Sequence, residues 1–346
     1  MALHELRSGN GGDIPLTPTS SVGEVVYPPV PASEGRKKGI FPAVVTLPAD
    51  LLNLTDEFNQ LPLDGETSRI SVRYFVKNAV LSNLSPKDRT TIAPFVEGIV
   101  KLTGDGRAFQ DCSILYLGKN ADTRHTQPDV FQAELNTALN TFSSPPGKKE
   151  YDYSLYTFKE ITKEDKENPA IIDQYTELYK AFGWTREQVI TILQNPTSIL
   201  LGTFDGDKLV SSGMAERAEF TIERNGEKNK FVMYEITEAA TENEYRGRGL
   251  YTKVATELMK ILATTDIDLL YGESNMLSEA VIKTAHSLGR TSSLESLNEF
   301  GFPPRFLEQH VRISGGPNDN RLPDEKNDLL PTYMTRDKLL QYAHDN

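Results

Sequence analysis

A single cysteine, Cys112, leaves the chain without an internal disulfide or a thiolate metal cluster, which fits a reducing compartment and makes the cytoplasm the expected location. Long apolar runs are missing too. Nothing approaches the roughly 18 consecutive apolar residues of a membrane span, and the opening "MALHELRSGNGGDIPLTPTS" has neither an apolar h-region nor a cleavage site. No membrane partner is expected. A basic excess is also absent, since 37 Lys and Arg face 49 Asp and Glu for a net charge of -12. Phosphate backbones need a basic field, so nucleic acid is not the expected partner, whereas a cationic acceptor would be attracted. The five histidines, His4, His125, His286, His310 and His344, lack metal-ligand spacing such as HExxH, so no metal is expected.

What is present is enough apolar material, 38% of 346 residues, to bury a full core and divide into about two domains. Residues 1–38 are rich in Gly, Pro, Ser and Thr and end in "GRKKG", a composition that buries too little apolar surface to offset ordering. They read as a flexible arm. From "FPAVVTLP" the pattern turns globular, with a strand at 44–47, a helix opening at Ser85 and Pro86 with Asp88 in its first turn, the strand "CSILYLG" and the helix "PDVFQAELNTALNTF". Residues 39–142 are therefore expected to form an N-terminal α/β accessory domain. The prolines and glycine of "SSPPGKKE", 143–150, mark a linker.

Residues 151–346 alternate strands and helices more legibly. The strand "YSLYTFKEI" precedes a helix with Ile171, Tyr175, Leu178, Tyr179 and Phe182 on one face, and Thr185 with Gln188 makes a capping box for a second helix. The aromatics Tyr175, Tyr179, Phe182 and Trp184 read as core. "SILLGTF" and "KLVSSGMAERAEFTIE" form antiparallel strands, Asn225 and Gly226 make a tight reversal, and "KFVMYEITEAAT" follows as a central strand. After it come a helix with Val254, Leu258, Ile261 and Leu262 buried, the strand "IDLLYGES", and the helix "SEAVIKTAHSLG". "RFLEQHVRISG" supplies late strands, and 316–331 reads as a solvated loop.

Between the central strand and the next helix stands "ENEYRGRGLYTK". Gly247 and Gly249 allow backbone conformations closed to other residues, and their N–H groups can converge beside the positive end of the new helix. Such a joint suits phosphate, with Arg246 and Arg248 adding charge-assisted contacts. No Lys-Ser or Lys-Thr follows the glycines, which argues against a nucleotide-hydrolysing P-loop. Taken alone, the motif equally describes a helix cap with solvated arginines.

The order strand, "YRGRGL", helix, strand, helix resembles the GCN5-related N-acetyltransferase superfamily, whose signature is an Arg/Gln-x-x-Gly-x-Gly/Ala loop. The texture of "EITEAATENEYRGRGLYTKV" and "ESNMLSEAVIKTAHSLG" is similar to the β-lysine N-acetyltransferase branch, over about the last half of the chain. The resemblance implies a mixed, mainly antiparallel sheet flanked by helices in residues 151–346, with acetyl-CoA as cosubstrate. It implies that the backbone of Ala239, Ala240 and Thr241 meets the pantetheine arm and that Arg246, Gly247, Arg248, Gly249, Leu250 and Tyr251 cradle the pyrophosphate. Adjacent strands would splay here, and an amine would attack the thioester directly.

Direct attack requires removal of the ammonium proton, and Glu235, Glu238 and Glu273 are the candidate bases. An offset of three puts Glu235 and Glu238 on opposite strand faces unless a bulge intervenes. The family's tyrosine acid, four residues before the terminal glycine of the last helix, is replaced by Ala285. His286 lies about 100° further round the helix and reads as structural. The expected activity is acetyl transfer to a primary amine of a small molecule such as an amino acid or polyamine. The alternatives are a protein or peptide lysine acetyltransferase, with 39–142 as recognition domain, and a non-catalytic acyl-CoA-binding interaction protein.

Overall fold

A computed structural model describes residues 36–61, 63, 69–103, 108–120, 128–145, 150–180, 184–276, 278–309 and 327–346. The expected arm lies almost wholly outside these residues, as does the middle of the expected linker. The first elements are β1 (Arg36–Val45), α1 (Pro48–Gln60), β2 (Arg69–Lys77), α2 (Asn78–Ser82), α3 (Pro86–Ile92), β3 (Val96–Lys101), β4 (Cys112–Asn120) and α4 (Pro128–Ser143). Then follow β5 (Tyr156–Glu160), α5 (Lys163–Glu167), α6 (Pro169–Tyr179), α7 (Arg186–Leu193), β6 (Ser198–Asp205), β7 (Lys208–Arg224) and β8 (Glu227–Thr241). The chain continues through α8 (Leu250–Ala263), β9 (Leu269–Asn275), α9 (Glu279–Ser287), β10 (Thr291–Ser292), α10 (Ser293–Glu299), β11 (Leu307–Gln309), β12 (Asn327–Thr335) and α11 (Arg336–Asp345).

Local chemistry explains several boundaries. Ser85 with Asp88 and Thr185 with Gln188 make reciprocal capping boxes that satisfy orphan N–H groups at the starts of α3 and α7. Asn225 (φ 54) and Gly226 (φ 80) both take left-handed backbone, the twist required by a tight hairpin, and so β7 and β8 pair from Arg224 and Glu227 to Ser211 and Thr241.

The described strands form one mixed, mainly antiparallel sheet flanked by helices, in the order β10-β12-β9-β8-β7-β1-β2-β4-β3. Parallel pairing is confined to β1 with β2, β1 with β7 and β8 with β9. The long β7 is shared along one edge: its first half pairs with β6, and Glu223 at its far end pairs with Ala43 of β1. The sheet then folds back over itself. Phe75 of β2 meets Phe231 of β8 with ring centroids 4.9 Å apart, and Tyr116 of β4 stacks on Tyr271 of β9 at 5.6 Å.

Strands β7, β8 and β9 thus have two buried faces. On one, Ala215, Val232, Tyr234, Ile236 and Leu270 pack against Val254, Leu258, Met259 and Leu262 of α8. On the other, Ala218, Ile222, Phe231, Met233, Leu269 and Tyr271 meet Phe75, Val100, Ile114 and Tyr116 of the β2–β4 layer. Tyr175, Tyr179, Val189 and Leu193 of α6 and α7 cover Met214 and Ala240 at the neighbouring end of that second face. Residues from β1 through α4 share a further core with Met276, Ile282, Leu294, Leu297, Phe300, Phe306 and Leu330.

One expectation needs correction. Residues 327–331, read as the end of a solvated loop, form the first half of β12, where Leu329 and Leu330 are buried. Antiparallel pairing with β9 on one side and β11 on the other overrides the polar sequence just before them. The rest of the expected loop lies outside the described residues.

Candidate active site

The hairpin register decides which way the glutamates of β8 face. Ser212 pairs with Ala240 but Met214 pairs with Thr237, so β8 carries one extra residue across 238–239. A bulge of this kind shifts the strand's alternation. Glu235, Thr237 and Ala240 consequently share a face with Ser212, Met214 and Glu216. Glu238 stands at the bulge, and its side chain is outside the described residues. Parallel pairing of β8 with β9 ends at Glu235 and Tyr271, and beyond that point the two strands part.

Four acidic or phenolic groups gather where they part. Glu235 is 2% exposed and lies between Glu216 of β7, its register partner, and Tyr271 of β9. Glu216 is equally buried and accepts from Asn195 Nδ2 at 3.1 Å. Glu273, half-buried two residues along β9, accepts from the Tyr271 hydroxyl at 2.9 Å. From the opposing layer Arg73 of β2 sets its guanidinium carbon 5.1 Å from the Tyr116 ring centroid and 5.5 Å from that of Tyr271. Burial pulls the Arg73 guanidinium down, but Tyr116, Tyr271, Glu273 and Glu235 around it outweigh burial and hold it above its ordinary value. Burial, with Glu273 and Tyr116 adding to it, pushes the Tyr271 hydroxyl well up, and burial pushes Tyr116 up to about 12. Both phenols are neutral at pH 7, so Tyr271 serves as a donor to Glu273.

Glu216 was absent from the sequence expectations although a signal existed. It lies nine residues before Asn225, and Glu235 lies nine after Gly226, so a two-residue turn must set them opposite one another. Each is also the one acid on an otherwise apolar inward face, Met214, Ala218 and Ile222 in β7, Phe231 and Met233 in β8.

The glycine joint sits beyond the end of β8. Ala240 is buried, Ala239 and Thr241 are half-buried, and Ser211 Oγ donates to the Ala240 carbonyl at 3.0 Å. Gly247 (φ +76) is exposed, with nothing within 4 Å of a Cβ built on it. Gly249 (φ +71) is the N-cap of α8, whose first turn contains no acidic residue and receives no side-chain cap. Its N–H groups are thus without the usual protein acceptor. A Cβ on Gly249 would lie 2.5 Å from the Tyr151 ring, and the Tyr153 hydroxyl donates to the Gly249 carbonyl at 3.2 Å. Leu250 is buried and Tyr251 half-buried, its hydroxyl pushed up by burial.

The arginines divide their duties. Arg246 is exposed and donates through Nε to the Thr241 carbonyl at 3.2 Å, which holds the loop against the end of β8. Arg248 donates to the Tyr156 hydroxyl at 2.8 Å and the Glu244 carbonyl at 2.9 Å, and lies 5.0 Å from the Tyr245 ring centroid. Its fork is engaged with protein groups. Ala285 is buried in α9, while His286 Nε2 lies 2.6 Å from the Ser144 carbonyl and its ring meets Phe142 edge-on at 5.0 Å. His286 therefore fastens α9 to the end of α4. Among the described residues no group of three His, Cys, Asp or Glu is placed to hold a metal ion.

No family model matches the sequence, and no curated protein matches it. Solved structures similar to it include Arabidopsis thaliana NAA60 in complex with acetyl-CoA, 12% identical over 52% of this chain and 98% of that one, with a TM-score of 0.39. Aminoglycoside 6'-acetyltransferase type Ii is 19% identical over 52% of this chain and 97% of that one, with a TM-score of 0.35. The ribosomal-protein-S18-alanine N-acetyltransferase from Escherichia coli is 12% identical over 52% and 93%, with a TM-score of 0.36. With TM-scores below 0.5, the assignment of the fold rests on this chain's own strand order and register.

Proposed function

We propose that the chain transfers an acetyl group from acetyl-CoA to a primary amine, with a small molecule such as an amino acid or polyamine as acceptor. The observation that carries this reading is the parting of β8 and β9 beside an uncapped, glycine-flanked helix N-terminus. The N–H groups from Gly247 to Tyr251 suit a pyrophosphate, with open space over Gly247 and no carboxylate in the first turn to repel it. Arg246 and Arg248 frame that loop. The backbone of Ala239, Ala240 and Thr241, freed from β9, suits an extended amide-bearing arm.

The acceptor's nitrogen forms a bond to the acyl carbon as the carbon–sulfur bond breaks, and the ammonium proton passes to a carboxylate, directly or through water. Glu235, Glu238 and Glu273 are the candidate bases. Glu216 and Glu235 place two buried carboxylates side by side, and such a field favours a cationic amine over a neutral nucleophile. Residues 39–142 contribute Arg73 and Tyr116 near Glu235 and Glu273 and so shape the acceptor's approach.

Calorimetric titration with CoA and acetyl-CoA tests the donor half, and mass spectrometry of amino acids, polyamines and proteins incubated with acetyl-CoA tests the acceptor half. The expected result is CoA binding and a small amine gaining one acetyl group. Absence of CoA binding by folded protein overturns the reading, and acetylation confined to proteins overturns the acceptor class.

A further inference from the structure

The mouth of the strand split contains a charge that the acetyl-transfer scheme does not use. Arg290 follows Gly289, which ends α9 with left-handed backbone (φ +75) and lets the Arg290 N–H bond back to the Ala285 carbonyl at 3.1 Å. This turn sends the side chain inward, and the residue is 7% exposed. Its Nη1 donates to Thr332 Oγ1 of β12 at 3.2 Å. A Cβ built on Gly272 would lie 2.5 Å from Nη1 and 3.2 Å from the Ile236 carbonyl oxygen. Gly272 and Ile236 are the residues directly after the last β8–β9 pair, Glu235 with Tyr271. The guanidinium therefore occupies the opening of the split, and Gly272 has no side chain because the arginine fills that space.

The remaining donors form a pattern. Nε and Nη2 are both shielded from solvent and have no hydrogen-bond partner among the described residues. These two atoms make up one edge of the guanidinium, the edge whose parallel N–H bonds match the two oxygens of a carboxylate. A buried guanidinium with an idle bidentate edge is costly unless something planar and anionic completes it. Tyr251 and Glu235 are the nearby groups whose charges oppose the effect of burial on Arg290. A polyamine acceptor leaves that edge idle.

We propose that the free edge of Arg290 binds a substrate carboxylate at the β8–β9 split, so that one reaction partner carries a carboxylate in addition to its reacting group. The inference rests on the acetyl-transfer reading above and narrows its substrate class. The carboxylate comes either from an amino-acid acceptor or from the far end of a dicarboxylic acyl thioester, and the two sources share the same recognition chemistry.

The test measures kcat and KM on the full chain and on Arg290→Gln and Arg290→Lys. The acceptor arm compares the twenty amino acids with their decarboxylated amines, using acetyl-CoA, and the donor arm compares succinyl-CoA with acetyl-CoA on one fixed amine. In the arm that supplies the carboxylate, the wild type favours the carboxylated partner. Arg290→Gln reduces that preference by about 10- to 100-fold, mainly through KM, because a charge-assisted pair is lost. Arg290→Lys retains part of it. Equal use of carboxylated and carboxylate-free partners by the wild type overturns the proposal without needing any variant. A uniform fall in kcat for every substrate in Arg290→Gln also overturns it and assigns the guanidinium to the departing thiolate. Calorimetry with CoA separates the two layers. Wild-type protein that binds CoA but shows flat selectivity refutes only the carboxylate site, whereas folded protein that does not bind CoA refutes the donor reading and this inference together.

Discussion

The two faces of β7, β8 and β9 start from the same alternating pattern and end in opposite chemistry. Toward α8 the inward positions are Ala215, Val232, Tyr234, Ile236 and Leu270, and helix side chains fill the space between them. Toward the β2–β4 layer the alternation includes Glu216, Glu235 and Glu273, with Arg73 set beside the stacked rings of Tyr116 and Tyr271. Replacing apolar contacts with buried charges lowers stability unless every charge is matched. The first face secures the sheet, and the second holds acidic and phenolic groups away from water at the expense of some stability.

Taking the β2–β4 layer away would undo the contrast between the faces most completely. A chain beginning at Tyr151 loses the partners of Phe231, Met233, Leu269 and Tyr271, and it is expected to aggregate on expression while the full chain stays dispersed, as read by size-exclusion chromatography. A soluble, folded fragment with unaltered acceptor kinetics would show that this face needs no cover.

Next in size are the carboxylates themselves. Glu235, Glu238 and Glu273 are each changed to Gln, which preserves size and removes basicity. The variant lacking the base should lose about 10²- to 10⁴-fold in kcat. CoA affinity should stay constant. An amine acceptor is mostly protonated at neutral pH, so the wild-type rate rises with pH, and loss of the base flattens the acid limb. If all three variants turn over normally with the wild-type pH profile, the proton leaves by another route.

Arg73→Met tests whether charge matching supports the second face. Removing the guanidinium from beside Glu273 and Glu235 is expected to lower unfolding free energy by about 3 kcal/mol in urea titrations. With less positive charge nearby, the carboxylates hold protons more tightly, so the acid limb of the rate profile moves to higher pH. A variant at least as stable as wild type, with an unmoved profile, would place the guanidinium outside the charge cluster's energetics.

The smallest effects come from the glycine joint at the start of α8. Gly247→Ala meets no atoms, so only the left-handed backbone opposes it, at about 1 kcal/mol. Gly249→Ala must also displace Tyr151, and roughly 2–3 kcal/mol is expected. CoA titration of both variants reads the cradle, because similar stability losses with unchanged affinity would reduce the joint to a helix cap.

Much of this arrangement was legible in the sequence because it depends on local rules. The Asn225-Gly226 turn, the helix start at Ser85, the capping box at Thr185 and the apolar stripe of α8 follow from neighbouring residues, and each appears where expected. The glycine joint was equally visible. The bulge at 238–239 was not, since an extra residue in β8 shows itself only against its partner β7. Arg73 and Tyr116 were not legible because their roles depend on a sheet that folds back, which brings residues 198 and 155 positions away into contact with Tyr271. The β12 strand was hidden for the same reason: its burial is decided by β9 and β11.

The core shared between β1–α4 and the segment from Met276 to Leu330 has a consequence for synthesis on the ribosome. Ile70, Val72, Leu115 and Leu117 emerge early, yet Leu294, Leu297, Phe300 and Phe306, which complete their packing, are translated some 180 residues later. At about 5–20 residues per second, that interval is roughly 10–40 s. During it the nascent chain displays an unfinished apolar surface, so ribosome-associated chaperones have a natural client here, and a premature stop before residue 294 would release a product unable to bury the core it began.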